Sequence, residues 1–125
     1  MTASFRTLAF PMLLAFALPA AAQAGDAAAG QAVFKTQCGV CHAVVQGKNM
    51  IGPSLFGLIG RTSGGIEGFR YSAANKAASI VWSAETLNKY LAAPKAVVPG
   101  TAMTYAGLKD ATKRAGLIAY LTTVR

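Results

Sequence analysis

The chain has 125 residues, 54% of them hydrophobic, with 12 lysines and arginines against 4 acidic residues, a formal net charge of +8 and 2 cysteines. That length bounds it to one domain, and two cysteines are too few for a disulfide-stapled scaffold. The basic residues are scattered, with only Lys113 and Arg114 adjacent, so no basic arm for nucleic acid is present.

Residues 1–24 read as a secretory leader. Arg6 supplies an early positive charge, Leu8 to Ala22 form an apolar run, and Ala22-Gln23-Ala24 is a small-residue cleavage site that predicts processing before Gly25. A membrane anchor or a core helix would be the other uses of such a run. Pro11 and Pro19 interrupt it, however, and it is shorter than the roughly 20 apolar residues a span needs. Processing leaves a domain over 25–125 that loses only the charge of Arg6, so it stays strongly basic. Export argues against nucleic acid, so the charge reads as a face for acidic partners, the alternative being a merely solvated surface.

A domain of this size buries only about 60–65% of its extended surface. A disulfide between Cys38 and Cys41 would close too small a loop to compensate, so the core needs another supplement.

Asp26 predicts an N-cap for a helix to about Gln37, in which Ala29, Val33 and Phe34 recur at helical spacing. From Gly47 to Gly68 the glycine density excludes helix and regular strand and predicts a long irregular loop. Loops of that length in a compact domain usually wrap a ligand. A short helix is expected from Ser72 to Ala78, and a longer one over Ala84 to Ala92 with Ser83 as cap and Pro94 as stop. Pro99-Gly100 marks a turn. The last helix, Asp110 to about Val124, carries Leu117, Tyr120, Leu121 and Val124 as one apolar stripe. The pattern is all-α, four to five helices with long loops.

The chemistry concentrates in "CGVCH", Cys38 to His42. A redox dithiol would start a helix after a βα pattern, whereas here a helix precedes it and a glycine-rich loop follows. Structural zinc needs four ligands, and the chain has only three cysteine and histidine residues. Cys-X-X-Cys-His is the signature of c-type haem attachment. On one helical turn, positions i, i+3 and i+4 share a face. Cys38 and Cys41 therefore point at the two haem vinyl groups, with His42 toward the iron. A covalently held cofactor suits an exported protein. A porphyrin burying a few hundred Å² of apolar surface adds on the order of 10 kcal/mol at ~25 cal/mol per Å².

The sixth ligand separates a carrier from an open-iron haem protein. No second histidine exists, Met1 and Met12 leave with the leader, and Met50 follows His42 too closely. Met103, in "PGTAMTYAG" after the turn at Pro99-Gly100, is the expected ligand; an unadorned methionine otherwise fills a core.

With these residues in place the chain resembles class I cytochrome c of the mitochondrial-like type. "GPSLFGLIGRTSG", "GFRYSAANK", Trp82, "TLNKYLAAPK", "VPGTAM" and "LIAYL" match the family's segments in order and spacing across 25–125. The resemblance implies that the Pro53 carbonyl accepts from the second nitrogen of His42. It implies that Tyr71 and Trp82 bind a haem propionate, with Arg61 offsetting its charge. Asn75, Tyr90 and Thr101 would form a polar network on the methionine side, and Gly30 and Phe34 would pack on Leu117 and Tyr120.

Where better-known members ring the haem edge with lysines, this chain has Gln37, Ala102 and Asp110-Ala111. Lys48, Lys95 and Lys109 remain as docking charges, and Tyr105 stands where an aromatic shields the edge. The implied protein is a periplasmic, monomeric, monohaem electron carrier rather than an enzyme. Its implied partners are a quinol–cytochrome c reductase, a terminal oxidase, a photosynthetic reaction centre or a periplasmic dehydrogenase. The alternatives are a haem enzyme or ligand-binding protein with a labile sixth site, or a carrier tethered by an uncleaved leader.

Overall fold

A computed structural model describes residues 25–125; the expected leader lies outside the described residues. The helices are α1 (Ala27–Val33), α2 (Ala73–Ala77), α3 (Ala84–Ala92), α4 (Pro94–Val97) and α5 (Ala111–Thr123). Among the described residues there is no strand, only an isolated antiparallel bridge between Thr62 and Val81. None of these helices is long and apolar enough to cross a membrane.

Asp26 caps α1 by accepting from the amides of Ala28 (2.9 Å) and Ala29 (3.2 Å). The expected helix to Gln37 is regular only to Val33. It then widens into one π-helical turn, Phe34–Cys38, closed by the Gly39 amide on the Phe34 carbonyl at 2.8 Å. Thr36 gives a cause: its hydroxyl bonds back to the carbonyls of Ala32 (3.1 Å) and Val33 (3.2 Å), a contact that bends helices.

Ser83 and Thr86 form a reciprocal capping box that starts α3 where the sequence predicts. This helix buries Leu87, Tyr90 and Leu91 at i, i+3 and i+4. Pro94 ends α3, but it also opens α4, a correction to its reading as a stop alone. Ala93, before the proline, is extended (φ −158°), and the proline's own fixed φ suits the first helical position.

The first and last helices form the most extensive helix pair. A Cβ built on Gly30 would lie 1.8 Å from the Gly116 carbonyl oxygen, so the two backbones touch. Phe34 stacks on Tyr120 with ring centroids 5.6 Å apart. Leu117 (0% exposed) and Leu121 (2%) lie beneath this crossing in the single buried cluster. Gly30 thus meets the backbone of Gly116 and of Leu117, as its close approach to the last helix requires.

Candidate haem-binding site

One turn sets the geometry of the cysteines. The amides of Cys41 (3.0 Å) and His42 (2.9 Å) both donate to the Cys38 carbonyl. This i, i+3, i+4 arrangement turns all three side chains toward one cavity of about 410 Å³. Ten of the eleven residues singled out in the sequence line it: Cys38, Cys41, His42, Pro53, Arg61, Tyr71, Asn75, Trp82, Tyr90 and Met103. Thr101 sits behind the wall, joined to Asn75 and Met103. Met50 does not line the cavity and is 41% exposed.

His42 is fixed from behind. Its Nδ1 lies 2.7 Å from the Pro53 carbonyl oxygen, so that nitrogen donates and Nε2 keeps its lone pair. The ring also lies flat on Gly52, where a Cβ would sit 2.2 Å from Cε1. The "GP" pair therefore matters at both positions, although the sequence draws attention only to the proline. Burial lowers the His42 pKa, against the Pro53 hydrogen bond and with a smaller push from Arg61. The imidazole is thus held neutral, as a metal ligand must be.

Burial, with a smaller contribution from Cys41, pushes the Cys38 thiol up to about 11. It stays protonated at neutral pH, unlike the acidic thiol of a redox dithiol.

Arg61 enters the cavity without a carboxylate partner among the described residues. Its guanidinium donates to the carbonyls of Phe56 (3.2 Å) and Ser54 (2.9 Å), and burial lowers its pKa. The Tyr71 hydroxyl accepts from the Ile66 amide (3.0 Å), which leaves its proton for a neighbour in the cavity. A half-buried cation beside a free phenol donor suits an anionic ligand group.

On the methionine side, the Tyr90 hydroxyl donates to the Met103 sulfur at 3.4 Å. The Met103 amide donates to the Thr101 hydroxyl (3.2 Å), which donates to Asn75 Oδ1 (2.7 Å). Ser72, the α2 cap, donates to the same Asn75 oxygen at 2.7 Å. The chain from α2 to the methionine is therefore continuous, and Ser72 is a member that the sequence reading did not single out.

The ribbon opposite closes with Gly60 to Trp82, Trp82 to Arg61 and Ser63 to Ile80 backbone bonds of 2.7–2.9 Å. Ser63, 6% exposed, also accepts from the Ile80 amide at 3.0 Å. These bonds seat Trp82, 7% exposed, in the cavity wall.

Two thiols and a lone imidazole nitrogen face an apolar cavity with one cationic corner and a soft sulfur donor. This set defines a small c-type haem protein. A sequence model of the cytochrome c family matches residues 27–125, and the chain belongs to that family of monohaem electron carriers with one covalently attached haem c. It is 51% identical over 117 residues to cytochrome c2 of Blastochloris viridis, covering 93% of this chain and 91% of that one. It is 48% identical over 101 residues to cytochrome c of Euglena viridis, covering 81% and 99%. Cytochrome c2 of Rhodopila globiformis is 46% identical over 101 residues, covering 81% and 95%. The residues lining the cavity fit the cofactor: Gly52 leaves the room His42 needs, and Arg61 brings a positive charge for an anionic group.

Proposed function

We propose that the chain is an exported, periplasmic electron carrier, not an enzyme, with His42 and Met103 as its iron ligands and Cys38 and Cys41 as thioether anchors. When bound, the haem supplies a one-electron couple. The observation that carries the reading is the held pair of donors: His42 locked through Nδ1 on Pro53, and Met103 sulfur met by the Tyr90 hydroxyl in the same cavity. Both ligands are fixed by the fold before any electron moves, which favours transfer with little reorganisation. A thioether ligand favours the reduced state and raises the potential. Tyr71 and Trp82 hydrogen-bond a haem propionate whose charge Arg61 offsets, while Asn75, Tyr90 and Thr101 form the polar network on the methionine side.

Export is supported by the leader, and the Blastochloris match is long enough to reach into it, since only 101 residues follow Ala24. Intact mass of the exported protein tests this: a chain from Gly25 plus one haem is expected, and a retained leader would make it a tethered carrier. Donors and acceptors fall among quinol–cytochrome c reductases, terminal oxidases, photosynthetic reaction centres and periplasmic dehydrogenases. Lys48, Lys95 and Lys109 are exposed and contribute to a basic docking face. Transfer rates are expected to fall with ionic strength, and a flat salt response would contradict charge steering.

The ligand set is tested by the optical spectrum. The oxidised protein is expected to show a weak far-red sulfur–iron band that vanishes in Met103→Ala. A high-spin wild type would instead make the sixth site labile and the protein a ligand-binding or catalytic haem protein.

A further inference from the structure

Besides the Tyr90 bond to its sulfur, the segment that carries Met103 has its nearest backbone ties on the upstream side. Upstream, the Met103 amide bonds to Thr101, whose own amide donates to Val98 at 3.1 Å. Downstream, the next backbone hydrogen bond is Leu108 amide to Leu91 carbonyl at 2.7 Å. Among the described residues, Thr104, Tyr105, Ala106 and Gly107 make no backbone hydrogen bond in either direction. Their one polar tie is a side chain: the Tyr105 hydroxyl donates to Gln37 Oε1.

Gln37 belongs to the π-helical turn and directly precedes Cys38. It is exposed and yet lines the cavity, as does the partly buried Tyr105, so the contact lies at the rim. The two residues are 68 positions apart, and their bond joins the cysteine side of the cavity to the methionine side.

We propose that Gln37 and Tyr105 form a latch across the cavity mouth that holds the Met103 segment closed, and so positions the sulfur against displacement by small ligands from solvent. The inference rests on the reading of Met103 as an iron ligand. Its physical basis is that a loop without backbone ties opens at little cost, so one side-chain bond takes a large share of its closing free energy. The hydrogen bond at the sulfur comes from Tyr90, whereas Gln37 and Tyr105 bond to each other and act as positioning residues. Loss of one neutral hydrogen bond should raise the open population, and with it the apparent affinity for an added ligand, by about fivefold.

The test is an imidazole titration of the ferric holoprotein, following loss of the far-red sulfur–iron band. Tyr105→Phe keeps the ring and removes the donor; Gln37→Ala removes the acceptor; Gln37→Glu keeps an acceptor. The single variants Tyr105→Phe and Gln37→Ala should each bind imidazole about fivefold more tightly. The double variant should match the singles, because one bond cannot be lost twice. Gln37→Glu should stay near the wild type.

Unchanged imidazole affinity in both singles would overturn the latch, as would a double variant equal to the product of the two. A general loosening of the fold would overturn it too, and would show as a lowered unfolding midpoint that scales with affinity in all variants, including Gln37→Glu. A wild type lacking the far-red band would instead defeat the methionine reading and the latch with it, and is visible before any imidazole is added.

Discussion

Gly30→Ala sets packing against helix propensity, and the two give opposite signs. On propensity alone, alanine for glycine in a helix interior stabilises by about 1 kcal/mol. At Gly30 the new methyl would sit 1.8 Å from the Gly116 carbonyl oxygen, and 2.3 Å from its carbon. Both obstacles are backbone inside α5, so no side chain can swing aside. Restoring even a 3.0 Å contact requires α1 and α5 to part by about 1.2 Å. A radial gap of that order forfeits about half of the dispersion between facing groups. Those groups include Phe34, Leu117 and Leu121, each no more than 6% exposed.

Overpacking of this kind costs about 3 kcal/mol or more, well above the propensity gain. Guanidinium unfolding of the holoprotein, followed by far-ultraviolet circular dichroism, reads it. With a slope of about 3 kcal/mol per M, the net loss of about 2 kcal/mol should lower the midpoint by about 0.7 M at unchanged slope. Gly116→Ala is the control: its methyl would meet the Asp26 carbonyl at 2.9 Å and Gly30 at 3.4 Å, so it should shift the midpoint far less. A Gly30→Ala midpoint at or above that of the wild type would refute the packing argument.

Three further outcomes follow from local geometry. Ser79 is the one described non-glycine residue with positive φ, at 52°, so Ser79→Gly should relieve about 1 kcal/mol and raise the thermal midpoint by a few degrees; a fall would show that its side chain matters more. Gly52→Ala should push the His42 ring off its seat and turn part of the ferric spectrum high-spin, whereas an unchanged spectrum would mean that the loop yields instead. Asp110 caps α5 through the Lys113 amide at 3.0 Å, and that bond leads the causes holding its carboxyl below the ordinary value of 3.8. A depressed folded pKa stabilises above the unfolded pKa and fades as pH falls through the lowered value. Thermal midpoints of wild type and Asp110→Asn should therefore differ at pH 7 and converge as the pH falls through the lowered value; a constant gap would remove the carboxylate from the explanation.

Much of this architecture is readable because its signals are local. Ser83, Thr86 and the Leu87-Tyr90-Leu91 spacing define α3 without help from the rest of the chain. The same is true of Cys38, Cys41 and His42, whose meeting depends on a single turn. The π-helical turn is not legible in the sequence, because propensity does not distinguish it from the α-helix it continues. The tie of Gln37 to Tyr105 and the Ser63–Ile80 pairing join residues distant in sequence, and polar residues of those types give no sign of their partners. By residue type alone Asn75, Tyr90 and Thr101 are ordinary helix and turn residues, and their hydrogen bonds with each other and with Met103 are visible only in the folded chain.

The crossing of α1 on α5 also orders events in time. A chain made from its N-terminus presents α1 first, but the surface that Gly30 needs arrives about 85 residues later, with Gly116. Until the C-terminal helix emerges, no closed core exists, and the cavity wall formed by Leu117 and Leu121 is missing. The cavity that Cys38 and Cys41 line therefore gains this wall only as the last helix docks. The fold places its cofactor-bearing turn at the front of the chain and its lock at the back, so loading can come before closure.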